Sequence, residues 1–192
     1  VKKVFINLLI AGACFFTATQ AAATAQTYII DSSHSYVLWH INHFGFSNPS
    51  GKWMVQGTLV LDEKSPENAK VNITIPVANM DTGVAKLDEH LKSKDFFNVA
   101  VYPTASFVST KVQLGKDNTA QVYGVLTLHG VSKQVVLDVK LNKMGVNPIS
   151  NKKTAGFGAT TQIKRSDFGI TNYLPGLGDD VLIEIQSEAA VG

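Results

Sequence analysis

The stretch WMVQGTLVLD, residues 53–62, decides how this chain folds. Trp53, Val55, Gly57, Leu59 and Leu61 fall on alternate positions, and Gln56, Thr58 and Asp62 fall between them. Successive side chains of a strand point to opposite faces, so this period of two marks a β-strand with one apolar and one polar face. Downstream, KVNITIPV (70–77) repeats it with Val71, Ile73, Ile75 and Val77 against Lys70, Asn72 and Thr74. Upstream, HSYVLWHINH (34–43) puts Val37, Trp39, Ile41 and His43 on one face.

The same alternation continues toward the C-terminus. Val122, Gly124, Leu126 and Leu128 form one apolar face, and Val131, Val135, Leu137, Val139 and Leu141 another. Phe157, Ala159, Thr161 and Ile163 follow, then Val181, Ile183 and Ile185. TASFVSTKVQL (104–114) is strand-like with ambiguous parity, and Ala105 and Phe107 are taken as inward. Turn chemistry falls at SNPSGK, EKSPEN, GKDN and KMGVNPISNKK. About eight main strands with a short YII at the start predict an all-β, antiparallel domain, and pattern alone leaves barrel and sandwich open.

One segment changes period. In AKLDEHLKSKDFFN (85–98) Leu87, Leu91 and Phe97 carry the apolar spacing, with His90 on the same side and Asp88 four residues before Lys92. This predicts an amphipathic helix of about three turns, started near Asp81 or Thr82 and set between the fourth and fifth main strands. Such a helix packs across an open end or side of the sheet.

Three histidines in ten residues raise the question of a metal. His40 and His43 point opposite ways on a strand, and His34 and His40 lie six positions apart, roughly 20 Å at ~3.3 Å per residue. Ligands of one zinc ion each lie within ~2.1 Å of it, so no mononuclear site fits, and neither HExxH nor CxxC occurs. The chain also lacks a GxSxG elbow, a P-loop and a dinucleotide fingerprint. An acid/base site drawn from His43, His90 or Asp95 is the enzyme reading that survives, and the expectation is a protein that is not an enzyme.

The first 25 residues read as a Sec-type signal peptide. Lys2 and Lys3 precede an apolar run from Val4 to Phe16, and Ala23-Thr24-Ala25 is a small-residue cleavage pattern. The run is too short for a ~20-residue membrane span. LIAGA before the sole cysteine, Cys14, loosely resembles a lipid-attachment site, but Ala11 stands where leucine is usual and Phe15-Phe16 makes a poor tether. Cleavage after Ala25 into the periplasm is the expectation, leaving 26–192 as one domain without cysteine. Lys2 and Lys3 are two of the 17 basic residues, so what remains balances the 15 acidic ones, and nothing points to nucleic acid.

In this order, YIIDSSHSYVLWHINHFGFS, GTLVLDEKSPENAKVNITIPVANMDTG, KLDEHLKSKDFFNVAVYPTASF, GVLTLHGVSKQVVLDVKL and GFGATTQIKRSDFG resemble the YceI family of bacterial periplasmic proteins. The resemblance implies a lipocalin-like antiparallel β-barrel whose apolar channel holds an isoprenoid or similar lipid, with no other cofactor. Many members carry Arg where this chain has Leu87, so a headgroup contact through that arginine does not transfer. His129-Gly130 keeps the family's HG turn, read as hairpin chemistry with His129 capping locally.

On that reading the channel is lined from the first strands by Val37, Trp39, Ile41, Trp53, Val55 and Leu59, then by Ile73, Ile75, Phe97 and Phe107. Leu126, Leu128, Val135, Leu137, Phe157 and Ile183 complete the wall. His43, His90, Arg165 and Asp167 are the candidates for a polar head, Arg165 because its parity continues Phe157–Ile163 and a guanidinium can engage two oxygens. Its rival role is to pair with Asp167, Asp95 or Asp179-Asp180. Strands of ~10 residues tilted ~40° make a barrel ~25 Å tall, about the length of an extended twenty-carbon chain. Burying that chain is worth ~16 kcal/mol against water, and leaving a bilayer forfeits about as much, which suits a carrier or buffer in transient contact with membrane. The alternative is a barrel filled by its own side chains that binds another protein. Monomer and homodimer both remain open.

Overall fold

The computed structural model describes residues 25–192, so the expected signal peptide up to Thr24, with Cys14, lies outside the described residues. Ten strands form one antiparallel sheet: β1 (Gln26–Ile30), β2 (Tyr36–His43), β3 (Ser50–Met54), β4 (Gln56–Leu61), β5 (Lys70–Pro76), β6 (Thr104–Leu114), β7 (Thr119–Leu128), β8 (Val131–Val146), β9 (Lys153–Lys164) and β10 (Leu177–Val191). One α-helix, α1 (Ala85–Lys92), stands between β5 and β6.

The sheet closes on itself. β1 and β2 are two lengths of one bent stave, and β3 and β4 are two lengths of the next: β1 pairs with β4, and β2 with β3. At the bend the Val55 N–H donates to the Ser35 carbonyl at 3.1 Å. From β4 onward each strand pairs with the one after it, and β10 returns to the start, with Leu177–Gln186 against β2 and Ala189–Val191 against β1. This is an eight-staved antiparallel barrel, which decides between barrel and sandwich. Closure removes the free edges at which an open sheet would template further pairing.

A bulge explains the ambiguous parity of β6, and a second shifts that of β8. Ser109 pairs with Gly124 but Lys111 pairs with Tyr123, so Ala105 and Phe107 face inward from odd positions and Val112 faces Val122 from an even one. The second bulge, between Leu141 and Lys143, moves the inward set of β8 from odd positions to Met144. An extra residue in one strand reverses the alternation beyond it. β8 then runs on through Val146 and β9 starts at Lys153, so the expected KMGVNPISNKK turn shrinks to residues 147–152. Likewise Ser50-Gly51-Lys52 of the expected SNPSGK turn belongs to β3.

The helix is shorter than its periodicity predicts, ending at Lys92 rather than Asn98 and starting at Ala85. The expected Asp88–Lys92 pair does not form, because Asp88 Oδ1 accepts from the Thr82 N–H (2.9 Å) and the Thr82 hydroxyl (2.7 Å). That carboxylate anchors the entry to the helix instead. Val77, Met80, Leu91 and Phe96 are buried in the barrel core, so the segment from Val77 to Phe96 covers the end where β5 leaves and β6 begins. No described helix is long and apolar enough to cross a membrane.

Candidate functional site: the barrel interior and its helix end

The register carries the inward faces around the barrel. Val37 lies between Trp53 and Ile185, Leu59 faces Val71, and Ile73 faces Phe107. Phe107 in turn faces Leu126, Val135 faces Gly124, Leu137 faces Val122, and Phe157 faces Leu141. On the side of β2 to β4, Val37, Trp39, Trp53, Val55 and Leu59 are buried, as is Phe107 on β6. Ile41, Ile73, Ile75, Phe97, Leu126, Leu128, Val135, Leu137, Phe157 and Ile183 are only half-buried. An inward side chain of a closed barrel that keeps accessible surface borders either an open mouth or space that other side chains do not fill.

At the helix end the interior is aromatic. The Trp39 and Trp53 rings lie 6.2 Å apart, and Phe97 meets Trp53 edge-on at 5.3 Å, within the range where aromatic pairs attract. The Trp53 indole N–H donates to the Val77 carbonyl at 3.1 Å. The Trp39 indole N–H is buried and has no hydrogen-bond partner among the described residues. Gly51, opposite Trp39, lets the indole lie on the backbone of β3: a Cβ there would stand 2.3 Å from Trp39 Cζ2.

The polar-head candidates do not bond to one another. Arg165 is 5% exposed, and its guanidinium is spent on backbone: Nε donates to the Gly178 carbonyl (2.7 Å), Nη1 to Ile170 (2.9 Å) and Nη2 to Leu177 (2.9 Å). It thus ties the short 3-10 helix Arg165–Phe168 to the start of β10, rather than forming the carboxylate pair that was its rival role. Burial pulls the pKa of the guanidinium down, and the nearby Asp179 carboxylate partly offsets this. Asp179 itself accepts from the Ser166 N–H and hydroxyl at 2.9 and 2.8 Å. Asp167, in the same short helix, is exposed.

His43 is exposed at the end of β2, edge-on to Phe44 at 4.9 Å. His90 is exposed rather than on the buried side of α1, and its ring meets Phe96 at 5.0 Å. Among the described residues no hydrogen bond or ion pair joins these four candidates, and no group of three or more His, Cys, Asp or Glu side chains is placed to hold a metal. His129 differs from its expected local role. At φ +52° beside Gly130 at φ +75° it forms the tight β7–β8 turn, while Nδ1 donates across the fold to the Phe168 carbonyl at 3.0 Å.

Three inward or end positions escape a reading by apolar periodicity. Ser35 is fully buried, its hydroxyl 3.2 Å from that of Ser187 and hydrogen-bonded to the Glu188 backbone, where β10 passes from β2 to β1. Lys133 pairs with Leu126, so it falls on the inward parity of β8 and remains exposed. The signal for both is a polar residue on an otherwise apolar alternation. At the end away from α1, Glu63 accepts from the Lys153 ammonium and from the buried Tyr28 hydroxyl; the contact with Lys153 lowers the pKa of the carboxyl and raises that of the ammonium, while burial first and the Glu63 charge second raise that of the phenol. Nothing local to the sequence signals that cluster.

A family model for the YceI-like domain matches residues 28–189. Protein YceI of Salmonella arizonae is 39% identical over 190 residues, covering 97% of each chain. The crystal structure of the Campylobacter jejuni YCEI protein superposes with a TM-score of 0.71 at 30% identity, over 79% of this chain and 90% of that one. A polyisoprenoid binding domain from Saccharophagus degradans shares the fold, with a TM-score of 0.64 at 14% identity over 87% of this chain and 99% of that one. A closed eight-staved barrel capped by one helix, matched from the first strand to the last, places this chain in the YceI-like domain family.

Proposed function

We propose that this protein is a periplasmic lipid carrier or buffer that holds an isoprenoid or similar long-chain amphiphile inside the barrel. The observation that carries the reading is the half-buried state of inward apolar side chains such as Ile73, Leu126, Leu137 and Ile183 in a closed barrel. Space bounded by hydrocarbon and left unfilled suits an alkyl or prenyl chain, which gains ~0.8 kcal/mol per methylene removed from water. The description of the Saccharophagus degradans domain as polyisoprenoid binding supports the same ligand class. The lining is the sixteen apolar residues named above, with His43 and His90 at the helix end.

A filled barrel that works through its outer surface accounts less well for that half-open wall. Catalysis by His43, His90 or Asp95 has no supporting contact, since the three are exposed and no hydrogen bond joins them among the described residues. Export is supported by the position of the proposed cleavage site: β1 begins at Gln26, directly after Ala25, so processing there leaves every described strand whole.

The test is organic extraction of protein purified without detergent from the periplasmic fraction, with mass spectrometry of the extract. A near-stoichiometric long-chain lipid is the expected result. Protein that carries none and takes up no fluorescent prenyl or fatty probe would overturn the reading in favour of the filled barrel.

A further inference from the structure

The barrel wall is not laced throughout. β8 and β9 pair from Asp138–Thr160 to Val146–Lys153, but toward the helix end their ladder stops. There Val131–Leu137 pairs with β7 alone and Thr161–Lys164 with β10 alone. Beyond the gap the two sides meet again where His129 Nδ1 donates to the Phe168 carbonyl at 3.0 Å, so the gap is a window in the wall. Backbone groups that a ladder would have paired line such a gap, and they need water or a polar ligand. One charged side chain stands on the inward parity here. Lys133 continues the row Gly57, Ile73, Phe107, Leu126, in which each residue pairs with the next. Leu126 opposite it and Val131 and Val135 beside it are half-buried, whereas Lys133 is exposed. A lysine among such neighbours lays its stem on hydrocarbon and keeps its ammonium in water. Lys164 on the opposite lip is held by Asp179 and Asp180, while Lys133 makes no hydrogen bond or ion pair among the described residues.

We infer that Lys133 holds the anionic head of the bound amphiphile at this window, while the chain runs along Leu126, Phe107 and Ile73. The inference rests on the reading of the interior as a lipid site and narrows its ligand to long-chain amphiphiles with an oxyanion head, a phosphate or a carboxylate. The rest of that row is hydrocarbon or glycine, so what Lys133 adds to it is charge at the border of the interior. An ammonium has three donors and no acceptor, and an oxyanion offers it charge as well as hydrogen bonds. The window also lets the head keep part of its hydration, which spares it the penalty of an ion buried in a closed interior.

Delipidated protein is titrated at low salt with four probes that share one twenty-carbon prenyl chain and end in a phosphate, a carboxylate, an alcohol or an amine. The expected result is that an anion binds roughly three- to ten-fold tighter than the alcohol, between the worth of an exposed and a buried ion pair, and the amine more weakly than the alcohol. The anion with the larger preference names the head. Lys133→Gln should abolish the preference and leave the affinity for the alcohol unchanged, and Lys133→Arg should keep it. Lys140→Gln, which removes an exposed cation from the outer face of the same strand, should also keep it. An unmutated protein that binds the alcohol as tightly as both anions overturns the inference and leaves the lipid reading standing. So does a preference that survives Lys133→Gln, or one that Lys140→Gln removes equally, since the general field of the protein would then be its source. Alcohol and anions weakened together by Lys133→Gln, with a lower Tm, would make Lys133 a clamp of the window instead. If none of the four probes binds, the lipid reading itself falls, and this inference with it. Each preference is a ratio within one preparation, so a variant that folds only in part still reports it.

Discussion

Trp39 and Gly51 face each other across β2 and β3, and the indole lies so close to the glycine that a Cβ at position 51 would sit 2.3 Å from Cζ2, 2.5 Å from Cε2 and 2.8 Å from Nε1. The clash is with a rigid ring, itself packed on Trp53, and not with the end of a flexible chain. Gly51→Ala should therefore cost about 1–3 kcal/mol, the usual penalty for overpacking. Denaturant unfolding followed by tryptophan fluorescence measures this, together with the expected change in the native emission as Trp39 is displaced.

Arg165→Ala should lower stability by about 3 kcal/mol or more, because it strips partners from three carbonyls at once. For a domain of this size that is a fall of roughly 6–12 °C in Tm. Arg165→Lys should recover little, since an ammonium cannot reach three divergent carbonyls as a planar fork does. Affinities for a prenyl phosphate and a neutral prenol should fall together. Selective loss of the phosphate with Tm unchanged would instead return Arg165 to the role of a headgroup ligand.

Leu126→Trp separates an unfilled interior from a filled one. Leu126 faces Phe107 and Lys133 and is half-buried. Where space adjoins it, the larger ring occupies that space, so probe uptake should drop while Tm holds or rises. In a filled core the same change would overpack and cost about 1–3 kcal/mol. Measuring uptake and Tm on one preparation distinguishes the two.

Asp31 and His34 form a local pair, with His34 Nδ1 2.7 Å from Asp31 Oδ2. The carboxylate holds the imidazole pKa above its ordinary 6.5, and the imidazolium and the Ser33 N–H hold Asp31 below its ordinary 3.8. The histidine's contribution is thus complete below 6.5 and lost as pH rises through its raised value, while that of Asp31 is present above 3.8 and lost as pH falls through its lowered value. Histidine ring signals followed by NMR should place His34 above 6.5, and Asp31→Asn should bring it back toward that value.

Processing is tested by intact mass. Protein from the periplasmic fraction should begin at Gln26. A diacylglycerol-modified chain beginning at Cys14 would overturn the proposed cleavage after Ala25.

The local pattern by itself determined the strands and their inward faces wherever no bulge intervenes. Trp53, Val55, Leu59 and Leu61 alternate with polar residues, and alternation is a property of neighbouring residues that needs no distant partner to be read. The same holds for the existence of α1. Its length was not legible, because apolar residues run on past the last turn to Phe97, whose side chain packs on Trp53 outside the helix.

What only the tertiary structure decided involves residues far apart in the chain. The parity of β6 depends on a bulge defined against β7, and closure depends on β10 dividing its pairing between β1 and β2. Arg165 has the composition and parity of an anion ligand, yet the carbonyls of Ile170, Leu177 and Gly178 converge on it first. A guanidinium takes whichever acceptors the fold presents, and backbone acceptors carry no sequence signature. For the same reason the indole N–H of Trp39 is left without a partner among the described residues while that of Trp53 finds Val77, a difference set by packing and not by residue type.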